Sequence, residues 1–299
     1  MGATRAADFA FEPKVWQDHI AAYFDNTLTF GQVALRDRTL VGEPGMVVNF
    51  PYFKAISAAE EPDEDSGLTV DKLQDDSFSC TVKEVAKAVG MKKRALRKSA
   101  ARREAIFSEA QRQIARVHAE KVESDIITEI NTTNNFVAGF VGTDSTAHLA
   151  KISNIANGKI RAFGDKADQA IAIFMHSFHE LDLLTDSTAG FLKADANMPF
   201  WGMPGYRGKL LGMDVFVSDL CPRLTDISSK RVYAAFTVKA NAFGIMQAEE
   251  LDFEDDYDLL HREYVVAAGQ YYGVKSFHAK IASNDYRIAR HEFITSISA

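Results

Sequence analysis

Residues 45–131 restrict the fold more than any other part of this chain. Two strand-like runs, 46–56 and 77–89, flank an acidic turn carrying Glu60, Glu61, Asp63, Glu64 and Asp65. A basic segment follows, and then a helix of about seven turns. Eleven extended residues reach roughly 36 Å at about 3.3 Å each, too far for a compact surface hairpin. A two-stranded arm with nothing under it is at best marginally stable in water. Something must cover it, and the economical cover is another copy of the same chain. That places the sequence among assembly proteins rather than enzymes.

Composition sets the outer bounds. At 299 residues the chain suits one large domain or two smaller ones, with ample length for a core. The core is expected to be rich in phenylalanine, with 21 Phe against 2 Trp. Cys80 and Cys221 are far apart, which gives no disulfide framework and no metal cluster. Residues 1–11 contain charges and no continuous apolar stretch, so a secretory signal is not expected. No run approaches the roughly 18 apolar residues that span a bilayer, so no membrane partner is expected. A net charge of −7 disfavours coating nucleic acid over the whole surface. The sequence reads as a soluble product of the cytosol.

Along the chain, residues 8–40 read as an N-terminal arm. Pro13 suits a first helical turn, and Trp16, Ile20 and Phe24 follow at steps of four on one face. That face could dock on its own domain or on a neighbour. In the hairpin, Phe78, Cys80 and Val82 keep period two while Val85 falls on the opposite phase, which predicts a bulge near Glu84. The long helix is expected from Glu104 to Asn131, with Phe107, Ala110, Ile114 and Val117 in one apolar stripe. Val122, Ile126 and Ile130 continue on a shifted one. Beyond it, helix and strand alternate: a helix over 147–162, a strand over 170–175, a helix over 177–184, and strands over 214–218 and 231–238. A strand-like run over 257–281 is broken at Gly269 and Gly273.

Candidate chemistry is weak. His176, His179 and Glu180 lack the HExxH spacing that sets two ligands and a base on one helical face. They read as polar residues at a strand-to-helix junction. The acidic run 249–258 lacks the glycine and closing glutamate of a calcium loop. The glycine pairs Gly139 with Gly142 and Gly202 with Gly205 read as turns, not phosphate loops. No catalytic, cofactor-binding or metal-binding residue is expected. The strongest charge feature is 92–103, seven positive charges in twelve residues beginning Lys92, Lys93, Arg94 and Arg97. It could bind phosphate, pair with a neighbour's carboxylates, or form a solvated helix entry.

The order of arm, strand with GMVVNFPYF (45–53), acidic loop, second strand, basic linker and long helix resembles the tailed-bacteriophage major capsid proteins of the Hong Kong 97-type fold. FGDKADQAIAIFMHSFHELDLL (163–184), RGKLLGMDVFVSD (207–219) and YAAFTVKANAFGIMQ (233–247) are similar to that group's later blocks, and the resemblance covers about 13–282. It implies an α+β fold: an N-terminal arm (1–40), an extended β-hairpin loop (41–89), and a peripheral domain with a long spine helix (90–146). An axial domain (147–250) and a peripheral return strand with the C-terminus (251–299) complete it.

The implied function is a shell of pentamers and hexamers around double-stranded DNA. It is assembled in the host cytoplasm with a separate scaffolding protein, a portal and a possible decoration protein, and it ends as the virion capsid. Few residues precede the hairpin, which is why the scaffold is expected as a separate chain. The acidic tip (Glu60, Glu61, Asp63, Glu64, Asp65) is expected to meet a neighbour's Lys92, Lys93, Arg94 and Arg97, with Trp16, Tyr52 and Phe53 as further contacts between subunits. The alternatives are an encapsulin-like nanocompartment shell and, from a different class, a cytosolic metal-dependent enzyme using His176, His179 and the 249–258 acids.

Overall fold

The computed structural model describes residues 28–41, 45–54, 56–57, 59, 61, 70–98, 103–142, 149–185, 191–193, 198, 200–227, 230–277 and 286–298. Trp16, Glu60, Asp63, Glu64 and Asp65 lie outside the described residues. A 3-10 turn at Phe30–Gln32 leads into β1 (Leu35–Asp37). β2 (Val47–Phe53) and β3 (Asp75–Thr81) then form a two-stranded antiparallel sheet, with Val47 opposite Thr81 and Phe53 opposite Asp75.

Strict alternation sends Val48, Phe50 and Tyr52 of β2 to one face, together with Phe78 and Cys80 of β3. That face is covered within the same chain. Phe277 meets Phe50 edge-on at 5.1 Å and Phe78 at 6.0 Å, while Tyr52 stacks on Phe78 at 4.5 Å. Met246 and Val82 close the cluster. The expected arm of eleven paired residues is therefore seven residues long in its paired part, and its base needs no second copy.

The chain leaves this sheet at the buried Val82. β4 (Lys83–Lys92) belongs to a different sheet, of order β1-β11-β12-β4, in which β11 (Phe243–Asp258) and β12 (Glu263–Ser276) come from late in the chain. Its register with β12 runs unbroken from Lys83 opposite Tyr272 to Lys92 opposite Glu263. The phase slip at Val85 thus comes from a change of sheet at Val82, not from a bulge near Glu84. Residues 83–89 are part of the body rather than of the hairpin.

A short helix, α1 (Lys93–Lys98), precedes α2 (Arg103–Ile130), whose 28 residues span about 42 Å. The helix was expected one residue later at each end. Its buried face runs through Ala110, Ile114, Ala115, His118, Ala119, Val122, Glu123, Ile126, Ile127 and Ile130. This is one continuous stripe rather than two, and Val117 lies outside it at 46 % exposure.

β5 (Val137–Val141), α3 (Ile152–Phe163), β6 (Ala170–Met175), α4 (Ser177–Thr185) and β7 (Phe191–Lys193) follow. β8 (Tyr206–Leu210), β9 (Met213–Val217) and β10 (Lys230–Lys239) come next, then β11 (Phe243–Asp258), β12 (Glu263–Ser276) and β13 (Ile288–Ser298). Seven of these strands form a second sheet of order β5-β13-β10-β6-β9-β8-β7. β5 and β13 enter it from outside the expected 147–250 segment, while β11 leaves it for the four-stranded sheet. The run 257–281 is likewise two elements: β11 ends at Asp258, the chain turns over 259–262, and β12 returns antiparallel.

The core follows the phenylalanine content. Phe174, Phe216, Phe236, Phe243 and Phe293 are fully buried, and Phe30 stacks on Phe174 at 4.2 Å. α2 lies on β12, where Asp125 accepts from the Tyr272 hydroxyl (2.7 Å) and Glu129 accepts from the Ser276 hydroxyl (3.0 Å). Lys83 and Lys121 both pair with Asp125, which fixes β4 to the same helix.

Candidate assembly surface

The hairpin divides into a covered base and an exposed limb. Phe53 at the last pair, and Ile56, Val70 and Leu73 beyond it, are 63, 65, 87 and 68 % exposed. Four large apolar side chains thus stand in solvent on this limb. Tyr52 and Phe53 lie on opposite faces, as strand alternation requires. Tyr52 is half-buried on Phe78, with its hydroxyl donating to Asp76 (3.3 Å), whereas Phe53 points outward. Within the limb, Asp71 accepts from the Ser57 backbone N–H (2.7 Å), and Lys54 pairs with Asp76 (3.3 Å). Glu61 is exposed.

The basic segment begins at the far end of β4, about 30 Å along that strand from Val82. Lys92 is exposed opposite Glu263, the Lys93 ammonium lies 5.7 Å from the Tyr257 ring centre, and Arg94 is exposed. Arg97 falls on α1. No described contact joins these cations to Glu61.

The two histidines weighed as ligands are consumed by packing. His176 stacks on Tyr233 at 4.0 Å and its Nδ1 accepts the Phe178 N–H (3.2 Å) at the start of α4. His179 is fully enclosed, edge-on to Tyr233 and Phe293. Among the described residues no group of three His, Cys, Asp or Glu side chains is placed to hold a metal ion. Gly139 is not in a turn, as its pairing with Gly142 suggested, but on β5, packed against the ring of the buried His291.

Sequence reasoning also missed Glu123. Its buried carboxylate accepts the N–H groups of Phe30 (3.0 Å) and Gly31 (3.1 Å), tying the start of the described chain to the spine-like helix α2. Burial pushes its pKa up to about 7, against the pull of those N–H groups. A lone Glu in a helical stripe carries no sequence signal, since its donors lie 92 and 93 residues away.

Burial also holds His291 down to about 4 and His179 to about 3, with His118 lowered by the same cause. A base with a depressed folded pKa contributes stability that is complete above its unfolded value and lost as pH falls toward the folded one. The body is therefore expected to weaken between about pH 6.5 and pH 4, by on the order of 3 kcal/mol from His291 alone. Glu123 acts oppositely, its contribution being complete below its unfolded pKa and lost as pH rises through about 7. Glu123 gains on acidification about what His291 loses, so the net fall in thermal midpoint below pH 6.5 rests on the more deeply depressed His179. A flat profile of thermal midpoints from pH 8 to 4 would contradict the buried, neutral His179.

No family model matches the chain. A curated relative, the major capsid protein of Staphylococcus phage phiMR11, is 22% identical over 231 residues, 77% of this chain and 80% of the relative. Among solved structures, the capsid of Ralstonia phage GP4 superimposes with a TM-score of 0.69 at 13% identity, over 92% of this chain and 91% of that one. The Cyanophage Pam1 capsid gives 0.65 at 15% identity over 99% and 97% of the two chains. The head of Helicobacter pylori bacteriophage KHP40 gives 0.64 at 13% identity over 99% and 95%. The chain shares the fold of these phage capsid shells and is similar, over most of its length, to a bacteriophage major capsid protein.

Proposed function

We propose that this chain builds a closed icosahedral shell around double-stranded DNA, as pentamers and hexamers of itself, without catalytic activity of its own. The observation that carries this reading is the hairpin. Its base is fixed to the body by Phe277, while the limb beyond it exposes Phe53, Ile56, Val70 and Leu73. A rigidly anchored apolar projection has a use only against a neighbour. Individually weak contacts become strong because one closed shell makes many together, each raising the effective concentration of the next. A separate scaffolding protein, a portal and a possible decoration protein complete the assembly in this reading.

Within it, the acidic tip (Glu60, Glu61, Asp63, Glu64, Asp65) meets a neighbour's basic segment. The strand length between hairpin base and Lys92 supports pairing in trans, with the Lys93 ammonium already set over the Tyr257 ring of its own chain. Exposed pairs are worth about 0–1 kcal/mol each, so they set register more than stability. Reversing the tip should slow assembly, and reversing Arg94 and Arg97 with it should restore the rate. Lack of rescue would refute that pairing.

Sedimentation velocity with negative-stain imaging tests the larger reading. Shells or rings of five and six are expected, alone or with a scaffold. A small oligomer that stays inert under both conditions would overturn it. Shells that purify with protein cargo instead of DNA would point to a nanocompartment.

A further inference from the structure

The two long edges of the four-stranded sheet carry opposite charge. β1 covers β11 only at Gly244–Met246, so no described strand pairs with the outer edge of β11 beyond it. That edge is acidic, with Glu254 and Asp256 exposed within the carboxylate-rich stretch 249–258. On the opposite side β4 is the terminal strand of the sheet, and there exposed Lys83, Lys87 and Lys92 outnumber one exposed carboxylate, Glu84. About 10 Å of sheet separates the two edges, close to a Debye length at 0.1 M salt. On the solvent face between them Ala88 and Ala267 stand opposite one another, and Glu263 lies across from Lys92 with its carboxylate over Gly90.

Charge on an edge strand normally guards it, because like-charged edges of two copies repel. Opposite signs on the two edges of one sheet remove that guard for a single orientation. The basic edge of one copy faces the acidic edge of the next, each offering a row of backbone groups without a described ladder partner. A contact between two different patches of the same chain is head-to-tail and propagates into rings or rows.

We propose that the β4 edge of one subunit docks on the β11 edge of a second copy, as a lateral contact in the shell distinct from the hairpin. The proposal rests on the shell reading. It assigns Lys87 and Lys92 to the neighbouring sheet, and leaves Arg94 and Arg97 to the acidic tip.

The test uses full-length protein in three forms: Glu254→Lys/Asp256→Lys, Lys87→Glu/Lys92→Glu, and all four changes together. Assembly is followed by light scattering and sedimentation velocity at two salt concentrations, with circular dichroism to verify folding. Each single-edge variant should raise the protein concentration needed for assembly by about tenfold at low salt, and the combined variant should recover most of it, as expected for complementary charge across an interface. The neutral changes Glu254→Gln/Asp256→Asn should give a smaller effect in the same direction.

Single-edge variants that assemble like the wild type would overturn the edge contact while leaving the shell reading intact. Folded variants whose combination fails to recover would overturn it as well. A wild-type chain that forms no shell under any condition, with or without scaffold, would take down both.

Discussion

Replacing residues 54–74 with an Asn-Gly turn is expected to leave a folded, stable body that no longer assembles. The break falls at the last pair of the hairpin, Phe53 opposite Asp75, where a two-residue turn closes an antiparallel pair with the right twist. Everything that holds the base stays in place: Phe50 and Phe78 on Phe277, Cys80 and Val82 in the buried cluster, and β4 in its unbroken register with β12. The internal loss is confined to exposed pairs such as Lys54 with Asp76, worth about 0–1 kcal/mol. The thermal midpoint should therefore move by no more than a few degrees.

Assembly should fail outright. The excised limb carries Ile56, Val70 and Leu73, each more than 60 % exposed. Burying two such side chains against a neighbour is worth about 3–6 kcal/mol, a factor of about a hundred or more in each association step. Sedimentation velocity on the truncated and intact proteins measures both halves of the expectation. Truncated protein that still forms shells at wild-type concentrations would remove the hairpin from the assembly mechanism. Truncated protein that unfolds would show that the limb stabilises its own body.

The second large effect concerns the interior of the seven-stranded sheet. Gly158 of α3 and Gly139 of β5 both press against the ring of His291 on β13. A Cβ added at Gly158 would sit 2.5 Å from His291 Nδ1 and 2.9 Å from the Phe140 Cβ, well inside contact distance. The ring has nowhere to go. Its Nδ1 accepts the Phe140 N–H at 3.0 Å, which places the proton on Nε2, 2.9 Å from the Thr237 hydroxyl. Gly158→Ala must either push α3 off the sheet or break these bonds. Overpacking costs about 1–3 kcal/mol and each buried group left without its partner about 1–3 kcal/mol more. The thermal midpoint should drop by roughly ten degrees. Gly90→Ala, on exposed β4, is the control and should change little. A Gly158→Ala protein as stable as the control would mean that α3 packs more loosely than this geometry requires.

The sequence carried the local elements because their signals are local. The run of helix formers ending at Asn131 placed α2 to within one residue at each end. The β-branched and aromatic runs placed β6, β9 and β10. The order of blocks also carried the resemblance to the phage capsid fold. Period two in 78–82 and its break at Val85 were visible too, but a phase slip has two causes that look alike in one dimension. Either a residue bulges out of a ladder or the strand changes sheet. Only the partner strand distinguishes them, and here the partner of β4 is β12, some 180 residues on in the chain.

The same limit hid the cover on the hairpin. Phe277 is about 200 residues from the strands it shields, so the sequence argued for a second copy where the chain supplies its own ring. Glu123 and His291 were invisible for a related reason. Nothing in their neighbours marks a buried carboxylate whose donors are Phe30 and Gly31, or an imidazole wedged between two glycines. Helix and strand follow from propensity and periodicity over a few residues, and the fold class came from the resemblance in the order of blocks. Which faces are covered, which edges stay open and which charges stand apart depend on long-range packing, and those decide where one subunit can meet the next.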